Sequence, residues 1–242
     1  MSAHAILTAE AHATLRVRTD RGVGLGDGVM CCIAVPDEFR RVQEDYPILF
    51  RLNAERDEFT ALAMFGFVEG ENLFLDGDRW DARSRPLAME IQPFLIGGAG
   101  PLRDGEGAKQ VHVDMASPRL DAGGEGVRVF DDDGRPTPYL ERVAEQLGAL
   151  DAGYQGSADF FAALRRHELL EPLTLDVTLD DGSANRLVGF HAIDEDRLQA
   201  LDAGALAELQ EEGHLLPIYM AVASIGRLGV LVERKNRRLR DG

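Results

Sequence analysis

Short apolar runs rich in β-branched and aromatic residues fill the first half of the chain, separated by Asp-Gly steps. Ala13 to Arg18, Val29 to Val35, Ile48 to Leu52, Phe59 to Phe67, Asn72 to Leu75 and Gln110 to Asp114 each have the length and composition of a strand. Asp27-Gly28, Asp76-Gly77, Asp104-Gly105, Asp133-Gly134 and Asp181-Gly182 predict turns. In each, the acid can bond its own backbone and the glycine accepts a positive φ. Pro36 to Val42 begins a helix, with proline and acids in its first turn, that ends before Pro47. The glycine-rich stretch from Gly97 to Gly107 reads as an exposed loop.

The second half changes period. Thr137-Pro138-Tyr139-Leu140-Glu141 supplies a cap, a proline at the first helical position and an acid in the first turn, for a helix to about Leu150. A second helix is expected from a Ser157 cap to Leu170. Thr174 to Leu179 and Asn185 to Ile193, joined through Asp180-Asp181-Gly182-Ser183, read as a β-hairpin. Asp194 opens a helical tail of Glu195 to Leu201, Gly204 to Glu212 and an apolar segment from Leu215, broken near Gly226 or Gly229. The pattern predicts an α+β fold: a mostly antiparallel sheet, flanking helices and a helical C-terminal segment. One continuous domain is expected over residues 1–242.

Charge narrows the partners. The formal net charge is -16, from 42 acidic against 26 basic side chains, which disfavours nucleic acid and anionic lipid as partners. The exception is the basic tail, residues 227–242, where six basic residues face two acidic ones, a net +4. Such a tail can complement a helix dipole, fold back on the acidic body or meet an acidic partner, and the first two are favoured here. Leu215 to Val232 is apolar, but Pro217, Arg227 and its glycines argue for a buried helix over a membrane span. The N-terminus lacks the basic start and apolar run of a secretory signal, so a cytoplasmic location is expected. The only cysteines, Cys31 and Cys32, are adjacent and point to opposite faces of a strand, which suits buried free thiols.

No complete catalytic motif is present. Gly22 to Gly28 has the wrong glycine spacing for a dinucleotide loop and leads into a strand, so it lacks the helix N-terminus a phosphate needs. Asp131-Asp132-Asp133-Gly134 would put Val129 and Leu140 where a calcium loop needs carboxylates. No metal site and no cofactor are therefore expected. His112 and Asp114, two residues apart on a strand, share a face and could serve as ligands or as an acid–base pair. The densest stretch runs from Glu69 to Arg83 and holds the only tryptophan, Trp80, among alternating acids and arginines. Asn72, Arg79, Trp80, Asp81 and Arg83 could form a recognition surface, with the ring as platform and the charges orienting a ligand. Equally, Trp80 could cover the edge of the core.

Taken in order, Gly70-Glu71-Asn72-Leu73-Phe74, Trp80, Pro93-Phe94, Phe130, Asp133-Gly134 and Leu170-Glu171-Pro172-Leu173 resemble the bacterial SapC family. Gly189-Phe190-His191-Ala192-Ile193-Asp194-Glu195, Gly213, Ile218-Tyr219 and Ser224 extend that resemblance. Two departures stand out: Glu90-Ile91-Gln92 replaces an aromatic and basic helix, and Ala221 stands where the family often has a histidine. The family takes its name from a protein linked to surface-layer export, and related proteins lie near flavin-dependent tryptophan halogenases and TonB-dependent receptors. The resemblance thus implies handling or modification of a surface or secreted substrate. Two readings follow. One is an accessory protein that binds a protein partner, or a second copy of itself, through the Trp80 segment. The other is an enzyme using Asp81, Arg83, His112 and Asp114 on a small molecule or peptide.

Overall fold

The computed structural model describes residues 3–53, 58–97, 109–121 and 124–241. In chain order the first half contains β1 (His4–Ile6), α1 (Ala9–His12), β2 (Arg16–Val17), β3 (Cys31–Ile33), α2 (Phe39–Val42), β4 (Ile48–Leu52) and β5 (Phe59–Met64). It continues with β6 (Leu75–Asp76), β7 (Arg79–Trp80), α3 (Leu87–Glu90), β8 (Phe94–Gly97), β9 (Gln110–Asp114) and β10 (Val127–Arg128). The second half holds α4 (Pro138–Arg166), β11 (Leu170–Thr178), β12 (Ala184–Ile193), α5 (Glu195–Gln199), α6 (Ala203–Glu211), α7 (Leu215–Ser224) and α8 (Arg227–Asp241). The expected α+β architecture is what forms. Every described strand pairing is antiparallel, in a five-stranded sheet of order β11-β12-β4-β5-β3, a three-stranded sheet β1-β9-β8 and the ribbons β10-β2 and β6-β7.

These elements bury two separate apolar clusters. The larger joins the five-stranded sheet to α2, to Phe160, Phe161 and Leu164 of α4, and to Ile218 and Leu231 of the C-terminal helices. The smaller gathers Val17, Ile91, Phe94, Val113, Val129 and Phe130 around Leu140, Val143 and Leu147 of the same α4. Helical spacing puts Leu140, Val143 and Leu147 on one stripe and Phe160, Phe161 and Leu164 on another, so one helix serves both cores.

The two helices expected on either side of Ser157 are therefore one. Ser157 is no cap: it lies buried in mid-helix and its hydroxyl donates to the Gly153 carbonyl at 2.7 Å. Gly153 is needed where α4 crosses the chain ahead of α2, since a Cβ there would sit 2.7 Å from Val35 Cγ2. Tertiary contact on both cores overrides the low helix propensity of Gly148, Gly153 and Gly156. Asn72 to Leu75 is likewise not a strand. Only Leu75–Asp76 pairs, with Arg79–Trp80 across the Asp76-Gly77 turn. The strands expected over Ala13 to Arg18, Val29 to Val35 and Phe59 to Phe67 are shorter than their apolar runs. The Gly97 to Gly107 loop and its Asp104-Gly105 turn lie outside the described residues, apart from Gly97 itself.

Other local expectations are met. Thr137 and Asp194 cap α4 and α5 through their side-chain oxygens. The β11–β12 hairpin forms around the Asp181-Gly182 turn, with a bulge between Leu173 and Leu175. The apolar C-terminal segment breaks between Ser224 and Arg227, at Gly226. Over Leu215–Asp241 its length and hydropathy alone would admit a membrane crossing. Here Ile218, Ala221 and Leu231 enter the larger core, and the Ser224 hydroxyl accepts from the Ile48 amide at 2.9 Å.

The basic tail folds back on the acidic body. The Arg234 guanidinium lies 4.4 Å from the Phe74 ring centroid and pairs with Asp81 at 2.8 Å. Arg238 donates to the carbonyls of Asn72 and Leu75, Lys235 pairs with Glu71, and Arg240 with Asp180.

The packing at Gly153 makes a contrast inside one helix. Gly153→Ala is expected to destabilise by about 1–3 kcal/mol through overpacking against Val35. Gly148→Ala, with open space around it, should stabilise by up to about 1 kcal/mol. Urea unfolding of the two variants checks the opposite signs.

Candidate functional site

The Trp80 segment is built into the core. Trp80 is 8% exposed, packs edge-on to Phe65 at 5.2 Å, and its indole N–H donates to the Tyr46 hydroxyl at 2.7 Å. Tyr46 donates onward to the Ser84 carbonyl, and burial pushes its phenol well above the ordinary tyrosine value. Asn72 is buried as well: its amide donates to the Asp27 carbonyl and its oxygen accepts from the Phe74 amide, both at 2.9 Å. Arg79, Asp81 and Arg83 are exposed, with Asp81 held by Arg234 and Arg83 lying 3.6 Å from Glu44. The ring is thus a core cover, and the charges around it are the solvent face of that cover.

His112 and Asp114 lie on β9, on the face opposite Val111 and Val113, which pack into the smaller core. On β9 they pair with Ile6 and His4 of β1 and share a face, as their spacing predicts. The Nε2 of His112 is buried without a hydrogen-bond partner among the described residues, beside Gly97, where a Cβ would come within 2.4 Å of it. Asp114 accepts from the Ala116 amide at 3.0 Å. Among the described residues, no hydrogen bond or ion pair joins His112 or Asp114 to Asp81 or Arg83. None of these four lines any of four prominent cavities among the described residues.

One of those cavities has a distinctive lining. A cleft of about 350 Å³ opens between the N-terminal half of α4 and the loops around β2 and α3. Arg18, Arg21, Arg85, Arg119 and Arg142 line it, with Glu90 as the only carboxylate among the described residues, and Tyr139, Gln92 and Gln146 add polar groups. In a chain of net charge -16, five arginines gather around one opening, and four of them are paired with Asp20, Asp27 and Glu90.

Its floor is a buried ion pair. Arg119, 2% exposed, donates to Asp27 Oδ1 at 2.6 Å and to the Asp20 carbonyl at 2.9 Å. Asp27, fully buried, also accepts from the Gly22 amide at 2.9 Å and lies 3.5 Å from Arg21. Arg21 donates to the Met89 carbonyl at 3.0 Å and lies 3.6 Å from Glu90, while Glu90 also pairs with Arg85 at 3.0 Å. Burial, then repulsion from Arg119 and Arg85, pulls the Arg21 guanidinium below its ordinary value. Opposite, Tyr139, Arg142, Val143 and Gln146 project from one stripe of α4. Burial pushes the Tyr139 phenol up, opposed by Arg119 and Arg21.

Asp27 is readable in sequence only as a turn acid, and Arg119 has no motif around it. Neither residue can be found before the fold brings 27 and 119 together. The one available signal is the presence of arginines in segments otherwise reading as loops.

The remaining sequence candidates are engaged locally. Asp131 Oδ1 accepts from the amides of Asp133 and Arg135, and Asp132 and Asp133 pair with Arg128 and Arg135. Among the described residues no group of three or more His, Cys, Asp or Glu side chains could hold a metal ion. Cys31 and Cys32 are free but half-buried rather than fully buried, packed against the larger core, and burial pushes both thiols up.

The structure therefore defines an antiparallel α+β protein with two cores on one helix and an arginine-lined cleft between that helix and the adjoining loops. The SapC family profile matches residues 7–231 of the 242, and the chain belongs to the SapC family. No curated protein and no solved structure matches it.

Two predictions follow from the cleft and its support. Asp27→Ala leaves the buried Arg119 guanidinium unpaired and is expected to cost about 3–5 kcal/mol, read from urea unfolding. Glu38, buried where its carboxylate accepts from the Val35 and Leu87 amides, anchors the start of α3. Burial raises its folded-state pKa despite those bonds and Arg41, so its contribution is greatest at low pH and is lost as pH rises through the raised value. Relative to Glu38→Gln, the wild type should lose stability as pH rises from 4 to 7. A difference independent of pH would remove Glu38 as the cause.

Proposed function

We propose that this SapC-family protein is an accessory binding protein whose ligand seats in the arginine-lined cleft. On this reading it works in the cytoplasm and holds part of a surface or secreted molecule, or of its precursor, for a partner protein. The observation that carries the reading is the cleft itself. It has the volume of a small-ligand site and several polar groups converge on it, beside a buried ion pair that fixes its shape. An enzyme built on Asp81, Arg83, His112 and Asp114 would need those side chains around one shared opening, and the cleft is lined by none of them. The exposed charges Arg79, Asp81 and Arg83 lie on the Trp80 turn and are the proposed face toward a protein partner, with Trp80 and Asn72 as its buried support.

The test is native against denaturing mass spectrometry of the tagged, full-length protein recovered from its own bacterium. A molecule or protein that leaves on denaturation, and is missing from an Arg142→Glu protein prepared in parallel, is the expected result. A chain that comes off bare in both preparations overturns the reading.

A further inference from the structure

The lining of the cleft divides into groups that are already satisfied and groups that are not. Arg119 is spent on Asp27 and two backbone carbonyls, Arg21 on Met89, Asp27 and Glu90, and Arg18 on Asp20. Arg142 makes no hydrogen bond or ion pair among the described residues, and neither the Tyr139 hydroxyl nor the Gln146 amide makes a hydrogen bond. The Nε of Arg85 is buried without a partner, although its terminal nitrogen holds Glu90. Arginine can only donate, and a hydroxyl or amide can donate as well, so the unspent capacity of the cleft consists largely of donors. Glu90, the single lining carboxylate among the described residues, is already shared between Arg85 and Arg21. The unspent groups therefore call for acceptors, and five guanidiniums against the three carboxylates paired with them, Asp20, Asp27 and Glu90, leave a positive excess that favours negative charge.

We infer that the ligand of this cleft is a small organic molecule carrying oxyanion groups, held by Arg142, Tyr139 and Gln146. This rests on the reading of the cleft as the binding site and names the chemistry it selects. Arg119, Arg21 and Asp27 are positioning groups behind it. Tyr139, Arg142 and Gln146 come from successive turns of one helix, so a rigid element fixes the spacing of the donors. Charge-assisted bonds from guanidinium to carboxylate or phosphate are the strong hydrogen bonds of proteins, and planar pairing favours both groups over a spherical halide. The acidic exterior does not cancel this attraction. At physiological ionic strength exposed charges are screened beyond about 8 Å, whereas charges within a partly enclosed cleft are screened less.

The probes are inorganic pyrophosphate and citrate, titrated calorimetrically into the full chain at constant ionic strength, with chloride as the reference anion. Binding of at least one probe is expected, weakened tenfold or more in Arg142→Ala and less in Tyr139→Phe. Arg142 is exposed and unpaired, so its removal should leave the thermal unfolding transition unchanged. Pyrophosphate alone would identify a phosphate ligand, citrate alone a carboxylate, and both an unselective oxyanion site; each supports the inference. Failure of both to bind above chloride overturns it, as does binding that is the same in Arg142→Ala. If both fail while mass spectrometry of the recovered protein shows a neutral molecule that Arg142→Glu displaces, the cleft stands as a site and only the oxyanion assignment falls.

Discussion

The ion pair between Asp27 and Arg119 is the constraint on which this structure turns. Two fully desolvated charges are costly to bury, and the cost is offset only when every remaining valence is met. Here the Gly22 amide completes Asp27, and the carbonyls of Arg18 and Asp20 complete Arg119. The same loop then reaches the larger core through Asn72, whose amide takes the Asp27 carbonyl. Three stretches far apart in sequence, around residues 18–27, 72 and 119, are thereby locked in register. The walls of the cleft inherit that register, because Arg21 and Arg119 stand on it. What looks like a surface loop rich in glycine is an internal brace.

A consequence for electrostatics is that basic residues do different work in different places. On α8 they are consumed in holding the tail against Glu71, Asp81 and Asp180. Around the cleft they are packed against one another, to the point that Arg119 and Arg85 repel the Arg21 charge. Like charges held in proximity destabilise a fold unless something else holds them, and here carboxylates and backbone carbonyls do.

Much of the architecture was legible in the chain. Thr137-Pro138 marks the start of α4, Asp194 the start of α5, and Asp181-Gly182 the hairpin turn, because each signal is local and its chemistry acts within a few residues. The order of motifs from Gly70 to Ser224 was enough to find the family. Ser157 misled for the opposite reason. Its cap chemistry is genuine, but two cores pull the helix straight through it and the hydroxyl turns back to Gly153. Trp80 and the acids around it stand out in sequence because aromatic and charged residues alternate, yet that alternation is what a two-strand ribbon at the edge of a core requires. The cleft was hidden because its arginines come from four separate stretches of the chain and share no spacing.

The length of α4 carries a further implication. Its first turns close the smaller core, its last turns close the larger, and no break separates them. A body clipped on both sides to one rod cannot loosen at one end without losing part of its hold at the other. Free energy gained at the cleft, beside the rod's first turns, would thus be shared along it, and occupancy there would register as slower amide exchange near Phe160 and Leu164. In this molecule the helix acts as a common ledger between two otherwise separate interiors.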